Sequence, residues 1–181
     1  MNASTLPDIL YPLSFIRSAR GLPKLRYENL NPEDLPEPYQ TLLFHEGDMT
    51  SRLEAYHESP LQVKTLNSSN DGKKYFREVI LNSTNSGKPT EYGAIEIQLN
   101  SLPDDVCEKI KEARKPLGGI LNEYRIPYSS SPRGFLKVTP DGPIIDAFGE
   151  VESDYLYGRS NQISGFNRET IARIVEILPA L

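Results

Sequence analysis

The chain of 181 residues contains Tyr75-Phe76-Arg77-Glu78-Val79-Ile80-Leu81, a stretch dominated by aromatic and branched apolar side chains. Such residues favour β-strands. A second stretch of similar texture, Leu61-Gln62-Val63-Lys64-Thr65-Leu66, precedes it, and the polar segment 67–73 separates the two. Two strand-like stretches joined by a short polar turn are typical of a hairpin. The sequence therefore predicts an antiparallel pairing at this point.

Further strands and helices follow on both sides of this hairpin. Residues 92–99 alternate between apolar and polar side chains, as in a strand with one buried face. The segment 171–178 fits either a helix face or a buried strand, and its many β-branched residues favour the strand. Helices are predicted at 39–44, 49–57, 103–114 and from Pro116, and strands also at 135–138 and 154–159. This order predicts an α+β fold, an antiparallel β-sheet with helices packed beside it.

Length and composition predict a single domain spanning 1–181. A chain of this size with 38% hydrophobic residues buries enough surface to hold a core. The segment 1–38 is interrupted by prolines and weakly patterned, so we expect an extended lead-in. The sequence gives no information on the oligomeric state.

Charge and cysteine content limit the partners and the compartment. The net charge is −5, which gives no electrostatic reason to expect nucleic acid or an anionic membrane as a partner. The only cysteine, Cys107, cannot form an intramolecular disulfide. Residues 1–20 lack the unbroken apolar run of a signal peptide. These features predict a cytoplasmic protein.

Charged residues inside apolar strands are the first candidates for a site. Arg77 shares one face of its strand with Val79, and Glu78 points to the other face. Glu176 lies between Val175 and Ile177. One explanation is structural: Arg77 and Glu176 pair with each other or with neighbouring residues, or they lie on a solvated edge face. The other explanation is a small polar pocket that binds an anion.

Two predicted helix starts are further candidates. Pro116 begins Pro116-Leu117-Gly118-Gly119, and Asp48 is a plausible cap for the helix that begins at Met49. Free backbone N–H groups at helix starts attract carboxylates and phosphates. The alternative is that the proline and the glycines only shape a corner between helices.

Other chemistries lack support. His45 and His57 have no ligand spacing around them that matches a metal site, so no metal is predicted. No phosphate-binding loop, dinucleotide fingerprint or nucleophile elbow is present. Cys107 falls in an amphipathic helix, where a packing role is the simpler explanation.

The candidate residues occur in an order that resembles the chorismate pyruvate-lyase family. Five segments carry the resemblance: Leu42 to Glu54, the Arg-Glu strand 75–81, Lys115 to Leu121, Tyr157-Gly158-Arg159 and Val175 to Pro179. The region 122–156 has no counterpart in it.

The resemblance implies an enzyme that converts chorismate into 4-hydroxybenzoate and pyruvate without a cofactor. It also implies residue roles. Arg77 would bind a substrate carboxylate, the backbone amides of Met49 and Leu117 would complete its binding, and Glu176 would face the ring hydroxyl. Arg77 and Glu176 would be the catalytic residues, and Arg159 would stabilise the departing enolpyruvate. The use of the product, in quinone synthesis or elsewhere, stays open.

A second hypothesis is a binding module without catalysis. Effector-binding domains of some bacterial transcription regulators are similar in fold to this lyase and sense small molecules, such as aromatic acids, without turnover. Those regulators carry a DNA-binding domain ahead of the effector domain, whereas residues 1–38 are too short for one. The sequence alone therefore favours the lyase.

Overall fold

The computed structural model describes residues 8–181, which form a seven-stranded sheet in the order β1-β5-β6-β7-β4-β3-β2. Every neighbouring pair of strands is antiparallel. The strands are β1 (Arg26–Leu30), β2 (Leu61–Asn70), β3 (Lys74–Ser83), β4 (Pro89–Gln98), β5 (Tyr128–Thr139), β6 (Leu156–Gly165) and β7 (Thr170–Leu178). The predicted α+β fold with an antiparallel sheet is confirmed. The segment 171–178 is a strand, as its β-branched residues favoured.

Six α-helices lie on the sheet among the described residues. They are α1 (Leu13–Ala19), α2 (Tyr39–Leu43), α3 (Met49–His57), α4 (Asp104–Lys111), α5 (Leu117–Glu123) and α6 (Gly142–Phe148). Short 3-10 helices occur at Pro32–Asp34 and Leu99–Ser101. None of the helices in residues 8–181 combines the length and apolar character that a membrane span requires.

The segment 1–38 differs from the predicted extended lead-in. It contains α1 and the edge strand β1, which pairs with β5. Leu13 and Ile16 of α1 are buried against the sheet. Leu13 and Ile16 are three residues apart, as on one face of a helix, but the prolines before and after α1 favour turns, so the sequence did not predict this short helix. Residues 1–7 of the predicted lead-in lie outside the described residues.

Helix α6 begins in a stretch, Asp141-Gly142-Pro143, whose residue types are typical of turns. The side chain of Asp141 caps it by accepting a hydrogen bond from the backbone N of Ile144 at 3.4 Å. Pro143 then falls in the first turn of the helix, where a missing N–H group costs nothing. The turn residues are therefore a helix start, and Ile144 and Phe148 of α6 are buried.

Helices cover both faces of the sheet. Helices α2 and α3 pack with Val79 and Leu81, whereas α1 and α6 pack with Ile80 and Tyr92 on the opposite face. Helices α4 and α5 complete the first face with Ile95. The two faces therefore separate Arg77 from Glu78.

Glu78 has its own partners on the face covered by α1 and α6. Its carboxylate accepts hydrogen bonds from Arg20 Nη1 at 2.6 Å, from Asn67 Nδ2 at 3.2 Å and from the hydroxyl of Tyr92. The hydrogen-bonding capacity of the Glu78 carboxylate is therefore met by residues of the protein. The buried charge of Arg77 still needs an explanation.

The pairing of β6 with β7 leaves no room for a side chain at position 158, where the residue is Gly158. A Cβ at this position would lie far inside van der Waals contact with the backbone oxygen of Glu176. Since this backbone belongs to a paired strand, we expect Gly158→Ala to lower the free energy of unfolding by about 1–3 kcal/mol, measured by urea denaturation. Gly119→Ala is the matched control, because no heavy atom lies within 4 Å of its added Cβ. A Gly158→Ala variant as stable as the control would contradict the close approach.

Candidate ligand-binding site

A cavity lies on the sheet face that α2 to α5 cover. Strands β3, β4, β6 and β7 and the starts of α3 and α5 line it. Its wall contains all four binding residues that the sequence predicted, namely Met49, Arg77, Leu117 and Glu176. The fold thus brings together side chains and backbone from four distant segments of the chain.

Strand register explains how Arg77 and Glu176 reach one cavity. Arg77 lies opposite Ile95 of β4, and Glu176 lies opposite Gly93 of the same strand. Residues two apart on a strand point to the same face and are separated by roughly 7 Å. Arg77 and Glu176 therefore face the same side of the sheet in neighbouring rows, with β4 between them.

The Arg77 guanidinium is the unusual group in this cavity. The residue is 3% exposed, and its Nη2 donates a hydrogen bond to the backbone oxygen of Lys115 at 3.4 Å. Its Nε and Nη1 atoms have no hydrogen-bond partner among residues 8–181. Burial lowers the pKa of Arg77, while the neighbouring hydroxyl of Tyr75 opposes the shift. A buried cation with two open donors is costly, and its planar fork matches a carboxylate.

Glu176 does not pair with Arg77. Its Oε2 accepts a hydrogen bond from Arg159 Nε at 2.6 Å, and Arg159 is fully buried. The hypothesis of an Arg77–Glu176 salt bridge is therefore wrong. Arg159 is the partner because β6 and β7 are neighbours and their register places Arg159 directly opposite Glu176.

Arg159 also holds the segment that precedes α3. Its Nη1 donates to the backbone oxygens of His45 at 2.9 Å and Leu43 at 3.4 Å, and its Nη2 donates to Gly47 at 3.4 Å. The predicted contact of Arg159 with a departing group is thus replaced by contacts within the protein. Arg159 fixes the position of Glu176 and of the start of α3 together.

The two helix starts meet at the cavity. Asp48 caps α3 by accepting a hydrogen bond from Ser51 N at 2.7 Å, so Met49 is the first helical residue as predicted. Pro116 is the residue before α5, and Leu117 is the first. A Cβ on Gly118 would lie 3.2 Å from the Cβ of Asp48. The missing side chain of Gly118 therefore allows the two helix starts to approach each other.

Glu91 and Asn161 are cavity residues that the sequence analysis missed. Asn161 is held by Ser130, to whose Oγ its Nδ2 donates at 2.8 Å. Glu91 is buried, and its Oε2 has no hydrogen-bond partner in the described part of the chain. The alternation of Glu91, Gly93 and Ile95 along β4 could have placed Glu91 on the same face as the other candidates.

The electrostatic state of Glu91 differs from that of an ordinary carboxyl group. Burial, and secondly the negative charge of Glu176, raise the pKa of Glu91 well above its usual value, while Arg159 opposes the shift. His45 lies on the other side of Arg159, and burial, followed by the charge of Arg159, lowers its pKa to about 4. The histidine is therefore neutral beside a buried arginine.

The raised pKa of Glu91 predicts a pH dependence of stability. A carboxyl group whose pKa is higher in the folded state binds more protons when folded, so stability falls as the pH rises from the unfolded pKa toward the folded pKa. We expect Glu91→Gln to remove this contribution and to stabilise the protein relative to wild type above neutral pH. Urea denaturation at several pH values measures it. A difference between the two proteins that stays constant with pH would contradict the shift.

This chain is similar to known proteins in its fold, whereas no similarity in sequence was found. No family model matches the chain, and no curated protein matches it. Two solved structures of PhnF from Mycobacterium smegmatis do match. The first has a TM-score of 0.58 and 8% identity, and the match covers 76% of this chain and 65% of that chain. The second, the effector domain of PhnF, has a TM-score of 0.54 and 10% identity over 74% of this chain and 89% of that domain. The chain has the fold of the PhnF effector domain.

This match corrects the predicted activity. Two solved structures that share the fold are those of PhnF and of the effector domain of PhnF, and neither is described as an enzyme. The prediction of a carbon–oxygen lyase is therefore wrong, and the second hypothesis from the sequence, a binding module, agrees better with the match. The chain spans 65% of the PhnF chain, so functions of the whole PhnF protein do not transfer with the fold.

Proposed function

We propose that the chain is a binding module for a small aromatic carboxylic acid, held in the cavity between the sheet and α3 to α5 without being converted. The observation that carries the proposal is the buried guanidinium of Arg77 with two open donors. A buried guanidinium with two unpaired donors and no ion-pair partner among the described residues is rare in folded proteins and needs an explanation. A carboxylate that accepts from Nε and Nη1 together supplies both missing hydrogen bonds and the missing negative charge.

The first turns of α3 and α5 bind the same carboxylate end of the ligand as Arg77. Met49 and Leu117 are the first residues of α3 and α5, and both line the cavity with Arg77. Backbone N–H groups in the first turn of a helix have no acceptor within that helix. They complete the environment of a carboxylate that Arg77 binds. In this arrangement, one cationic side chain and two backbone segments fix the orientation of the acid group.

The remaining wall favours a flat apolar body with a polar tip. Apolar side chains from four strands line the cavity, namely Val79, Leu81, Ile95, Ile163 and Ile174. Glu176 lies one register row beyond Arg77, roughly 7 Å along the strands. Because β4 lies between them, the two residues are also about 10 Å apart across the strands. Their long side chains enter the cavity from both sides, and the gap between them suits a single ring whose carboxylate faces Arg77 and whose hydroxyl donates to Glu176. 4-Hydroxybenzoate has this form and serves as the test ligand.

The experiment measures binding by titration calorimetry and conversion by a pyruvate assay. We expect 4-hydroxybenzoate to bind, and 4-hydroxybenzyl alcohol, which keeps the ring and hydroxyl but lacks the carboxylate, to bind at least about tenfold more weakly. Chorismate, incubated with the protein, should release no pyruvate above a buffer control. Equal affinity for the acid and the alcohol would contradict carboxylate recognition, and sustained pyruvate release would contradict binding without conversion.

A further inference from the structure

Glu91 is a second carboxyl group in the cavity, and the proposed binding of a carboxylate leaves it without a role. It lies on β4 two residues before Gly93, and Gly93 is directly opposite Glu176. Diagonal neighbours on adjacent antiparallel strands are within reach of long side chains. Gly93 contributes no side chain between them, so the two carboxyl groups share one end of the cavity.

The fully buried charges around the whole cavity can be counted from the structure; Asp48, which also lines the cavity, is half-buried at the start of α3 and stays outside this count because solvent screens it. Two buried arginines, Arg77 and Arg159, supply two positive charges, and Glu176 bonded to Arg159 supplies one negative charge. A ligand with one carboxylate brings the sum to zero only if Glu91 is uncharged. If Glu91 is ionised, the sum of these buried charges is already zero before a ligand binds, and any anionic ligand adds an excess negative charge in a buried place. Such an excess is expensive at low dielectric.

We propose that Glu91 and Glu176 hold one proton between them and that this proton makes the cavity select ligands with one negative charge over ligands with two. The inference rests on the proposed function, because it concerns ligands bound at Arg77. Glu91 is thereby a specificity-determining residue, and its role is to keep the carboxyl end of the cavity at a single negative charge.

The other titratable groups at this end do not supply the proton. His45, whose pKa is lowered to about 4, contacts Gly47 N through its Nδ1 at 3.1 Å and is neutral in the relevant range. Asp48 is half-buried and accepts the capping hydrogen bond of α3. The raised pKa of Glu91, caused first by burial and then by Glu176, agrees with the geometric argument.

The first experiment tests the proton in the ligand-free protein. Carbon-13 NMR of glutamate side chains, recorded against pH, reports the titration of each carboxyl group. We expect one carboxyl to titrate above the range of an ordinary glutamate, because burial and the charge of Glu176 raise the pKa of Glu91. That signal should be absent in Glu91→Gln, and it should move to lower pH in Glu176→Gln because the neighbouring negative charge is gone. Titration of Glu91 in the ordinary glutamate range would overturn the proposal, whether or not a ligand is known.

The second experiment tests selectivity with two ligands of matched shape. 4-Nitrobenzoate carries one charge, and terephthalate has nearly the same outline but carries two. We expect the wild-type protein to bind 4-nitrobenzoate at least about tenfold more tightly than terephthalate, since a second buried negative charge lacks a partner. Glu91→Gln leaves Glu176 to carry the single negative charge, so this variant should keep the preference. Equal affinity of wild type for the two ligands would overturn the proposal.

A pH series completes the test. Benzoate has no second ionisable group, so a change in its affinity above neutral pH reports the protein. We expect its affinity for wild type to fall by about tenfold or more as the pH rises and Glu91 ionises, and its affinity for Glu91→Gln to change by less than about threefold over the same pH series. Parallel pH curves for the two proteins would contradict a proton on Glu91. If none of the aromatic acids binds wild type, the proposed function fails, and the NMR titration still decides whether Glu91 and Glu176 hold a proton.

Discussion

Arg77→Met should abolish measurable binding of 4-hydroxybenzoate and at the same time make the protein more stable. The guanidinium is buried with two open donors, so it destabilises the ligand-free fold, while it supplies the main interaction with a carboxylate. Loss of one partner of a buried charge pair costs about 2–5 kcal/mol of binding free energy. Removal of the unsatisfied donors should raise the free energy of unfolding by about 1 kcal/mol or more.

Titration calorimetry and urea denaturation measure the two effects, and Arg17→Met is the matched control. Arg17 is equally buried but bonds to Asp141 and donates from its Nε to the backbone oxygen of Pro23 at 3.0 Å, on the face away from the cavity. Its replacement should lower stability and leave ligand affinity intact. The opposite signs separate a functional arginine from a structural one. An Arg77→Met variant that binds 4-hydroxybenzoate like wild type would refute the assignment of the site.

Arg159→Met should be the most destabilising single substitution at the cavity. It leaves the buried carboxylate of Glu176 without its partner and removes the donors to the backbone oxygens of Leu43, His45 and Gly47. Breaking a buried ion pair by removing one partner costs about 3–5 kcal/mol. The urea midpoint and the thermal unfolding temperature should both fall.

The double variant Arg159→Met with Glu176→Met tests the cause of that loss. Replacing both members of a buried pair by apolar residues leaves no uncompensated charge, so the double variant should be more stable than Arg159→Met alone. The recovery should be partial, because the backbone oxygens before α3 stay without donors. A double variant less stable than the single one would show that Glu176 is not the residue that destabilises Arg159→Met.

Local sequence patterns were sufficient for the elements that position the site. Arg77 and Glu176 stood out because each is a charge inside an apolar strand. The helix start at Met49 followed from the capping residue Asp48, and the helix start predicted at Pro116 lies one residue before the observed start at Leu117. The pattern did not show the partner of Glu176. The pair with Arg159 depends on the strand order β6-β7-β4-β3, which places strands from different parts of the chain side by side.

The elements that the sequence missed have a common physical reason. Helices α1 and α6 are short and lie beside prolines that also favour turns, so local propensity gives two answers. Burial of Leu13 or Phe148 on the sheet decides in favour of the helix. Such tertiary contacts are invisible to a window of neighbouring residues.

Predicting the catalytic activity differed from predicting the residues that line the cavity. A carboxylate needs a cation and open N–H groups whether it is converted or only held, so Arg77, Met49 and Leu117 fit a lyase and a binding module equally well. The comparison of folds corrected the enzymatic prediction, because the matched structures include PhnF and the effector domain of PhnF and neither is described as an enzyme. Residue patterns therefore indicated the chemistry of recognition more securely than the fate of the ligand.

The most direct test is a crystal structure of the wild-type protein with 4-hydroxybenzoate. We expect the ligand in the cavity, with its carboxylate oxygens within about 3 Å of Arg77 Nε and Nη1 and its hydroxyl directed at Glu176. The same crystals soaked with 4-hydroxybenzyl alcohol should show an empty cavity. A ligand bound elsewhere, or bound in the cavity with the Arg77 donors still open, would contradict the proposal that this cavity recognises a carboxylate.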